Sequence, residues 1–424
     1  MAQAKLLPFR ELLPDGTLRF HFHPGQSLAW DAQTQDILVL AGSQGGKTCW
    51  GPAWFDREIK TKGPGDYLIV TATYPLLNLK LLPEFLDLFQ HTLKLGRYYD
   101  SKQCFEFHDG KTRVIFGTAK NPESLESATA KAAWLDEAGQ KQFKREAYEA
   151  VRRRLTIHSG RMLITTTPYG LGWLKLEFYD KWKAGGPDIT VVQFTSMMNP
   201  TFPRSEYEKE RSRLPGWKFA MFHEGRFTKP AGLIYDSFDE ATAMIPRFEI
   251  PKDWPCYTGH DFGAVHTAAM WYAQDPGTGY LYAYREYKTA SKGHVTDHAN
   301  KFKELSTGER IVKRMGGAHG EEGWRDAYLG AGWPILEPQI NDVEVQIDGV
   351  YAMHKQGRLF VFDDLHQYLD EKNTYSRKLD DEYEPTDEIE DKATFHLMDA
   401  ERYIVSDFKP LRAKKDSKYE PAVF

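Results

Sequence analysis

Apolar residues in the first half of this chain fall in short continuous runs rather than in alternation. DILVLAG (36–42), DYLIVTAT (66–73), TRVIFGT (112–118), KAAWLDEA (131–138) and RMLITTTP (161–168) are β-rich, and each gives way to polar, helix-compatible sequence or a turn. Runs of this length suit strands covered on both faces. Their alternation with helices predicts an α/β fold on a mostly parallel sheet.

The pattern changes at TKPAGL (228–233), whose Pro and Gly read as a linker. Beyond it come WPCYTGHDFG (254–263), HTAAMWYAQ (266–274) and GYLYAYREYK (279–288), the last two joined by the turn DPGTG as a hairpin. A helical stretch (293–306) and a strand, RIVKRMGG (310–317), follow. Three early strands and then alternating helices and strands predict a second domain resembling ribonuclease H. The expected division is therefore 1–230, then 231–410, then a basic mobile tail over 411–424.

Composition narrows the class. With 424 residues, 41% hydrophobic and 27% charged, the chain reads as a soluble globular protein of two or three domains. No apolar run approaches the roughly 20 residues that span a bilayer, and the N-terminus lacks the pattern of a secretory signal. Cys49, Cys104 and Cys256 are too few and scattered for a disulfide framework or a zinc site, so a reducing cytoplasm is the default setting. A net charge of −5 argues against wholesale coating of nucleic acid and leaves a local DNA contact open.

AGSQGGKT (41–48) directly follows an apolar strand and fits the phosphate-loop pattern, except that Ala41 replaces its first Gly. Gly42, Ser43, Gln44, Gly45 and Gly46 form the loop whose amides would curl around phosphates; Lys47 would reach their outer oxygens, and Thr48 offers a hydroxyl to magnesium. Asp136 and Glu137 end a later apolar strand. Read with a phosphate loop they are a magnesium ligand and the base for the attacking water; read alone they cap the next helix. Thr166 and Thr167, in TTTP, close a further strand.

In this order FHPGQ, AGSQGGKT, TATYP, SLESATAKAAWLDEAG, GRMLITTTPYG and HLMDAERY resemble the large terminase subunit of tailed bacteriophages over nearly the whole chain. The resemblance implies an N-terminal packaging ATPase and a C-terminal ribonuclease H-like nuclease. It implies ATP and Mg2+ as cofactors (Mn2+ also at the nuclease site), Gln26 as the adenine contact, and Thr166 and Thr167 as the motif coupling hydrolysis to DNA movement. Implied partners are double-stranded DNA, a small terminase subunit and the portal protein, with a homo-oligomeric ring on the portal, no membrane, and action in the host cytoplasm. Many family members carry an Arg in the phosphate loop where this chain has Ser43 and Gln44. An arginine finger would then come from elsewhere, with Arg152, Arg153, Arg154 and Arg161 as candidates and a solvated or DNA-contacting helix face as their alternative. A helicase-like remodelling ATPase whose second domain only binds DNA is the rival function.

Two-metal phosphodiester hydrolysis needs acids converging from different elements on ions about 4 Å apart. Asp261, at the end of an apolar strand, is the first candidate. The family's acid after the strand RIVKRMGG is missing here, so Glu321 or Glu322 is expected to replace it, unless both only favour the first turn of a helix. His396 and Asp399, three apart on a helix, share a face and complete the set. Asp391 is a ligand or a cap, and Asp363 and Asp364 are a weaker pair that would serve equally as a turn.

Overall fold

The computed structural model describes residues 7–120, 129–263, 265–289, 293–406 and 408. The tail expected over 411–424 and the start of the SLESATAKAAWLDEAG motif lie outside the described residues. The chain divides into two compact units, Met1–Pro230 and Ala231–Phe424. No helix among the described residues is long and apolar enough to cross a membrane.

In the first unit a small hairpin, β1 (Arg10–Leu12) and β2 (Leu18–Phe20), precedes the main sheet. That sheet contains β3 (Asp36–Ala41), β4 (Asp66–Thr71), β5 (Gly96–Tyr99), β6 (Cys104–Phe107), β7 (Arg113–Thr118), β8 (Ala130–Asp136), β9 (Arg161–Thr166) and β10 (Ile189–Phe194). Their order is β10-β3-β9-β8-β4-β7-β6-β5. The first six run parallel and the last two antiparallel. Successive residues of a strand feed opposite faces. Ile37 and Val39 join Trp54, Trp134 and Leu163 in one core, whereas Leu38 and Leu40 join Leu68, Leu135 and Ile164 in the other. Two apolar faces explain why the central strands read as continuous runs. The edge strand β10 is only half covered, and Thr190 and Gln193 break its apolar pattern, so the run criterion passes over it.

The second unit contains β11 (Met244–Ile245), β12 (Pro255–Asp261), β13 (Ala268–Gln274), β14 (Leu281–Lys288), β15 (Arg310–Gly316) and β16 (Leu359–Phe362), in the order β11-β16-β14-β13-β12-β15. β12, β13 and β14 are antiparallel neighbours, and β15 returns parallel beside β12, as in ribonuclease H. The expected turn joins β13 to β14, with the Asp275 carboxylate accepting from the Gly277 N–H and the Thr278 hydroxyl. β16 lies parallel beside β14, and β11 beyond it forms the edge away from β15. A hairpin, β17 (Arg377–Leu379) and β18 (Pro385–Ile389), leads into the helix His396–Val405.

That helix lies against β12 so closely that a Cβ on Gly259 would stand 1.9 Å from the Ala400 carbonyl oxygen. Its inner face carries a fully buried ion pair: Lys372 Nζ lies 2.6 Å from Glu401 Oε2, and the Tyr368 hydroxyl donates to Glu401 Oε1 at 2.5 Å. The ammonium also sits 3.7 Å from the Tyr235 ring centroid. Removing one partner strands the other charge, so Lys372→Met should destabilise the second unit by about 3–5 kcal/mol. Adding Glu401→Gln should restore most of the loss; denaturant unfolding of the single and double variants checks both.

Candidate functional site

The loop 42–46 links β3 to the helix Lys47–Lys62, and Gly46 takes it into the helix at φ +86°, a left-handed conformation open to glycine. Four of its carbonyls are turned outward into donors, and the Gly42 carbonyl accepts from the Gly45 N–H within the loop. His23 Nε2 bonds the Gly45 carbonyl at 2.9 Å, and Gln26 Nε2 donates to the Gly46 carbonyl at 2.9 Å. On the other side the Ser196 hydroxyl donates to the Ser43 carbonyl at 2.6 Å, and Asn199 Nδ2 to the Gln44 carbonyl at 2.7 Å. The Ser43 N–H donates to the Phe222 carbonyl, in the helix Gly216–Glu224, at 2.6 Å. Outward carbonyls and a helix N-terminus free of acids in its first turn suit an anion at this loop. Gln26, expected to meet adenine, is buried beneath the loop with its amide committed to Gly46.

β9 lies between β3 and β8, so the threonines that end it stand between the loop and the paired acids. Lys47 Nζ is 3.0 Å from Glu137 Oε1 and donates to Thr167 Oγ1 at 3.0 Å. The Thr48 hydroxyl donates to Asp136 Oδ2 at 3.3 Å. Thr165, which the motif reading left without a role, donates to Asp136 Oδ1 at 2.6 Å while accepting from Trp134 Nε1 at 2.8 Å. Burial, and then the neighbouring Glu137, raise the Asp136 carboxyl to about 6. Thr166 faces the backbone instead, donating to the Thr167 carbonyl and accepting from the Gly139 N–H. Glu137 occupies the left-handed region at φ +55°, uncommon for a residue with a Cβ. Tyr169, which sequence reasoning missed, donates its hydroxyl to Glu137 Oε2 at 3.2 Å.

The arginine-finger candidates lie elsewhere. The helix Arg145–Leu155 crosses back from the end of β8 to the start of β9, so Arg152, Arg153 and Arg154 fall in its last turn, at the end of the sheet opposite the loop. Arg152 pairs with Asp36 at the start of β3. Arg161 pairs with Glu58 at 2.5 Å and donates to the carbonyls of Ala32 and Thr34. Neither reaches the loop of its own chain.

In the second unit Asp261, at the end of β12, accepts from His396 Nδ1 at 2.7 Å, and the exposed His266 ring, a residue the motifs did not mark, stacks on His396 with centroids 5.2 Å apart. Burial, and then the charges of Asp399 and Glu321, raise the Asp261 carboxyl to about 6. The hydrogen bond to Asp261 raises His396. Asp399 lies on the same helix but is ion-paired with Arg402, one turn on. The two glutamates separate. Glu321 Oε2 accepts from the Ala318 N–H at 2.7 Å and lies 3.1 Å from the position a Cβ on Gly317 would take, just past β15. Glu322 sits exposed in the first turn of the helix Glu322–Gly330. Asp364 is held by Arg247, and the Asp363 N–H bonds the Ile245 carbonyl, so this pair serves the backbone and a surface ion pair. Asp391 opens the short turn Lys392–Thr394 at φ +49°.

Among the described residues no group of three or more His, Cys, Asp or Glu side chains is gathered closely enough to hold a metal ion. Arg402 holds one candidate carboxylate and His396 another. The chemistry of the donor set still suits a hard cation, since the like charges of Asp399 and Glu321 raise Asp261.

No family model matches the sequence, and no curated protein matches it. Among solved structures, the HK97 bacteriophage large terminase is similar to 91% of this chain over 95% of its own, at 13% identity and a TM-score of 0.50. The large terminase from a thermophilic bacteriophage covers 90% of this chain and 98% of its own at 15% identity and TM-score 0.46. The Thermus phage P74-26 large terminase ATPase domain covers 49% of this chain and 95% of its own at 18% identity and TM-score 0.42. At these identities the likeness is one of fold.

The raised carboxyl of Asp261 has a pH consequence. An acid whose folded pKa, about 6, lies above its ordinary 3.8 holds its proton more tightly when folded. Its contribution to stability is complete below about pH 4 and is lost as pH rises to about 6. His396, also raised, extends the loss upward from about 6.5. Stability of the second unit should therefore fall as pH rises from about 4, and Asp261→Asn should remove roughly 1–3 kcal/mol of the fall between about pH 4 and 6. Denaturant unfolding across this range, monitored for the second unit, tests it.

Proposed function

We propose that this chain is a large terminase subunit, in which ATP hydrolysis in residues 1–230 drives double-stranded DNA into a procapsid and a nuclease in residues 231–410 cuts the concatemer. The observation that carries the proposal is the convergence on Lys47 of a phosphate loop, Glu137 and Thr167, from the ends of three adjacent strands. The same chain continues into a ribonuclease H-type sheet with Asp261 at the end of its first long strand. The fold-level likeness to the HK97 enzyme over both units supports the pairing.

In the ATPase, Gly42 to Gly46 cradle the phosphates and Lys47 neutralises their outer oxygens. Glu137 takes the proton of the attacking water. Thr167 stands where the loss of the γ-phosphate is felt first, through its hydrogen bond from Lys47, and Thr166 follows through the Thr167 carbonyl to which it donates. Gln26 shapes the loop through its hydrogen bond to the Gly46 carbonyl. Thr48 and Asp136 would hold Mg2+; in the second unit Asp261, Asp399 and Glu321, with His396, would hold Mg2+ or Mn2+, and Glu322 stays on the surface. In both sites the metal supplies charge neutralisation and polarisation at phosphate oxygens. The small terminase subunit, the portal protein and a homo-oligomeric ring on the portal, in the host cytoplasm, are the partners and setting this reading entails.

Two variants separate the activities. Glu137→Gln should lower ATP turnover by about a hundredfold or more while ATP still binds. Asp261→Asn should abolish plasmid cutting with Mg2+ or Mn2+ and leave ATP turnover intact. Strand separation by the wild type, with no cutting under either metal, would favour the helicase-like alternative.

A further inference from the structure

We infer that Tyr169 is the positioning residue for Glu137, an inference that rests on the ATPase reading above. The two carboxylate oxygens of Glu137 are held by different groups: Oε1 by Lys47 at 3.0 Å and Oε2 by the Tyr169 hydroxyl at 3.2 Å. The two holds differ in kind. Lys47 is the group that phosphates at the loop compete for, so ATP draws the ammonium off Oε1 and leaves that oxygen for water. Tyr169 carries no charge for a phosphate to attract, and its grip on Oε2 persists through that exchange.

The phenol is well placed for this. The Tyr169 hydroxyl has one hydrogen to give, and it donates it to Glu137 Oε2. The ring packs on Phe222 with centroids 5.7 Å apart, and the Phe222 carbonyl accepts from the Ser43 N–H of the loop. Loop, helix Gly216–Glu224, Tyr169 and Glu137 thus form a continuous set of contacts that fixes the distance from the phosphates to the base. Glu137 lies just past the end of β8 with its backbone in the left-handed region, uncommon for a residue with a Cβ, so its side chain leaves the strand direction and is held at both oxygens. Tyr169 itself is 41% exposed, so its substitution leaves the core intact.

The test is steady-state ATP hydrolysis by the full chain carrying Tyr169→Phe, with Tyr169→Leu and Glu137→Gln alongside, and direct titration with a fluorescent ATP analogue. Tyr169→Phe keeps the ring on Phe222 and loses only the hydroxyl. It should lower kcat about tenfold to a hundredfold while KM and analogue affinity stay at the wild-type values. Tyr169→Leu should fall at least as far. Wild-type kcat in Tyr169→Phe overturns the inference, as does a loss confined to KM or a loss seen only in Tyr169→Leu. Wild-type hydrolysis by Glu137→Gln would instead overturn the ATPase assignment of Glu137.

Discussion

The nearly buried ammonium of Lys47 organises the first unit. A charge taken out of water costs several kcal/mol unless partners surround it, and here they come from the ends of other strands, Glu137 after β8 and Thr167 after β9. That requirement fixes how the strand ends stand relative to one another. It also accounts for the position of β9, since only a strand between β3 and β8 can offer a hydroxyl to Lys47 while another of its threonines, Thr165, holds Asp136. The outward-turned carbonyls of the loop serve the same end, keeping acceptors of the backbone away from the place where an anion meets the lysine.

The second unit meets the same constraint differently. Asp261, Asp399 and Glu321 raise the local negative charge, and the protein answers with His396 on Asp261 and Arg402 on Asp399. Compensation from within leaves the acids paired rather than gathered about one point. A cation entering there would compete with His396 and Arg402 for its ligands, whereas in the first unit a phosphate would compete with Glu137 for Lys47. In each site an internal ion pair occupies the groups that the chemistry would use.

Legibility from sequence followed burial. β3, β4, β7, β8 and β9 are covered on both faces, so their apolar runs and the motifs at their ends stood out. β10 and β5, the two edge strands, and the antiparallel β6 beside β5 did not, since they mix polar and apolar positions. The groups that steady the loop from the far side, Ser196, Asn199 and Phe222, follow β10 at separations no short motif spans, and the missed strand hid them. Helical spacing put His396 and Asp399 on one face, yet the same rule run forward by one turn leads to Arg402, whose ion pair with Asp399 is as much a product of that spacing. Glu321 and Glu322 were equivalent as letters; the hydrogen bond from the Ala318 N–H turns one of them back toward the end of β15.

The arginines show why order along the chain does not give proximity. Arg152 to Arg154 follow Asp136 and Glu137 closely in sequence, but β9 runs parallel to β8, so the intervening helix has to travel back along the strands before β9 begins. Residues in its last turn therefore meet the strand starts, where Arg152 neutralises the buried Asp36 and Arg161 the buried Glu58. Those pairs hold the far end of the sheet and leave Lys47 as the cation these motifs bring to the loop. With Ser43 and Gln44 uncharged, any further positive charge that phosphoryl transfer requires has to reach the loop from outside this set of motifs.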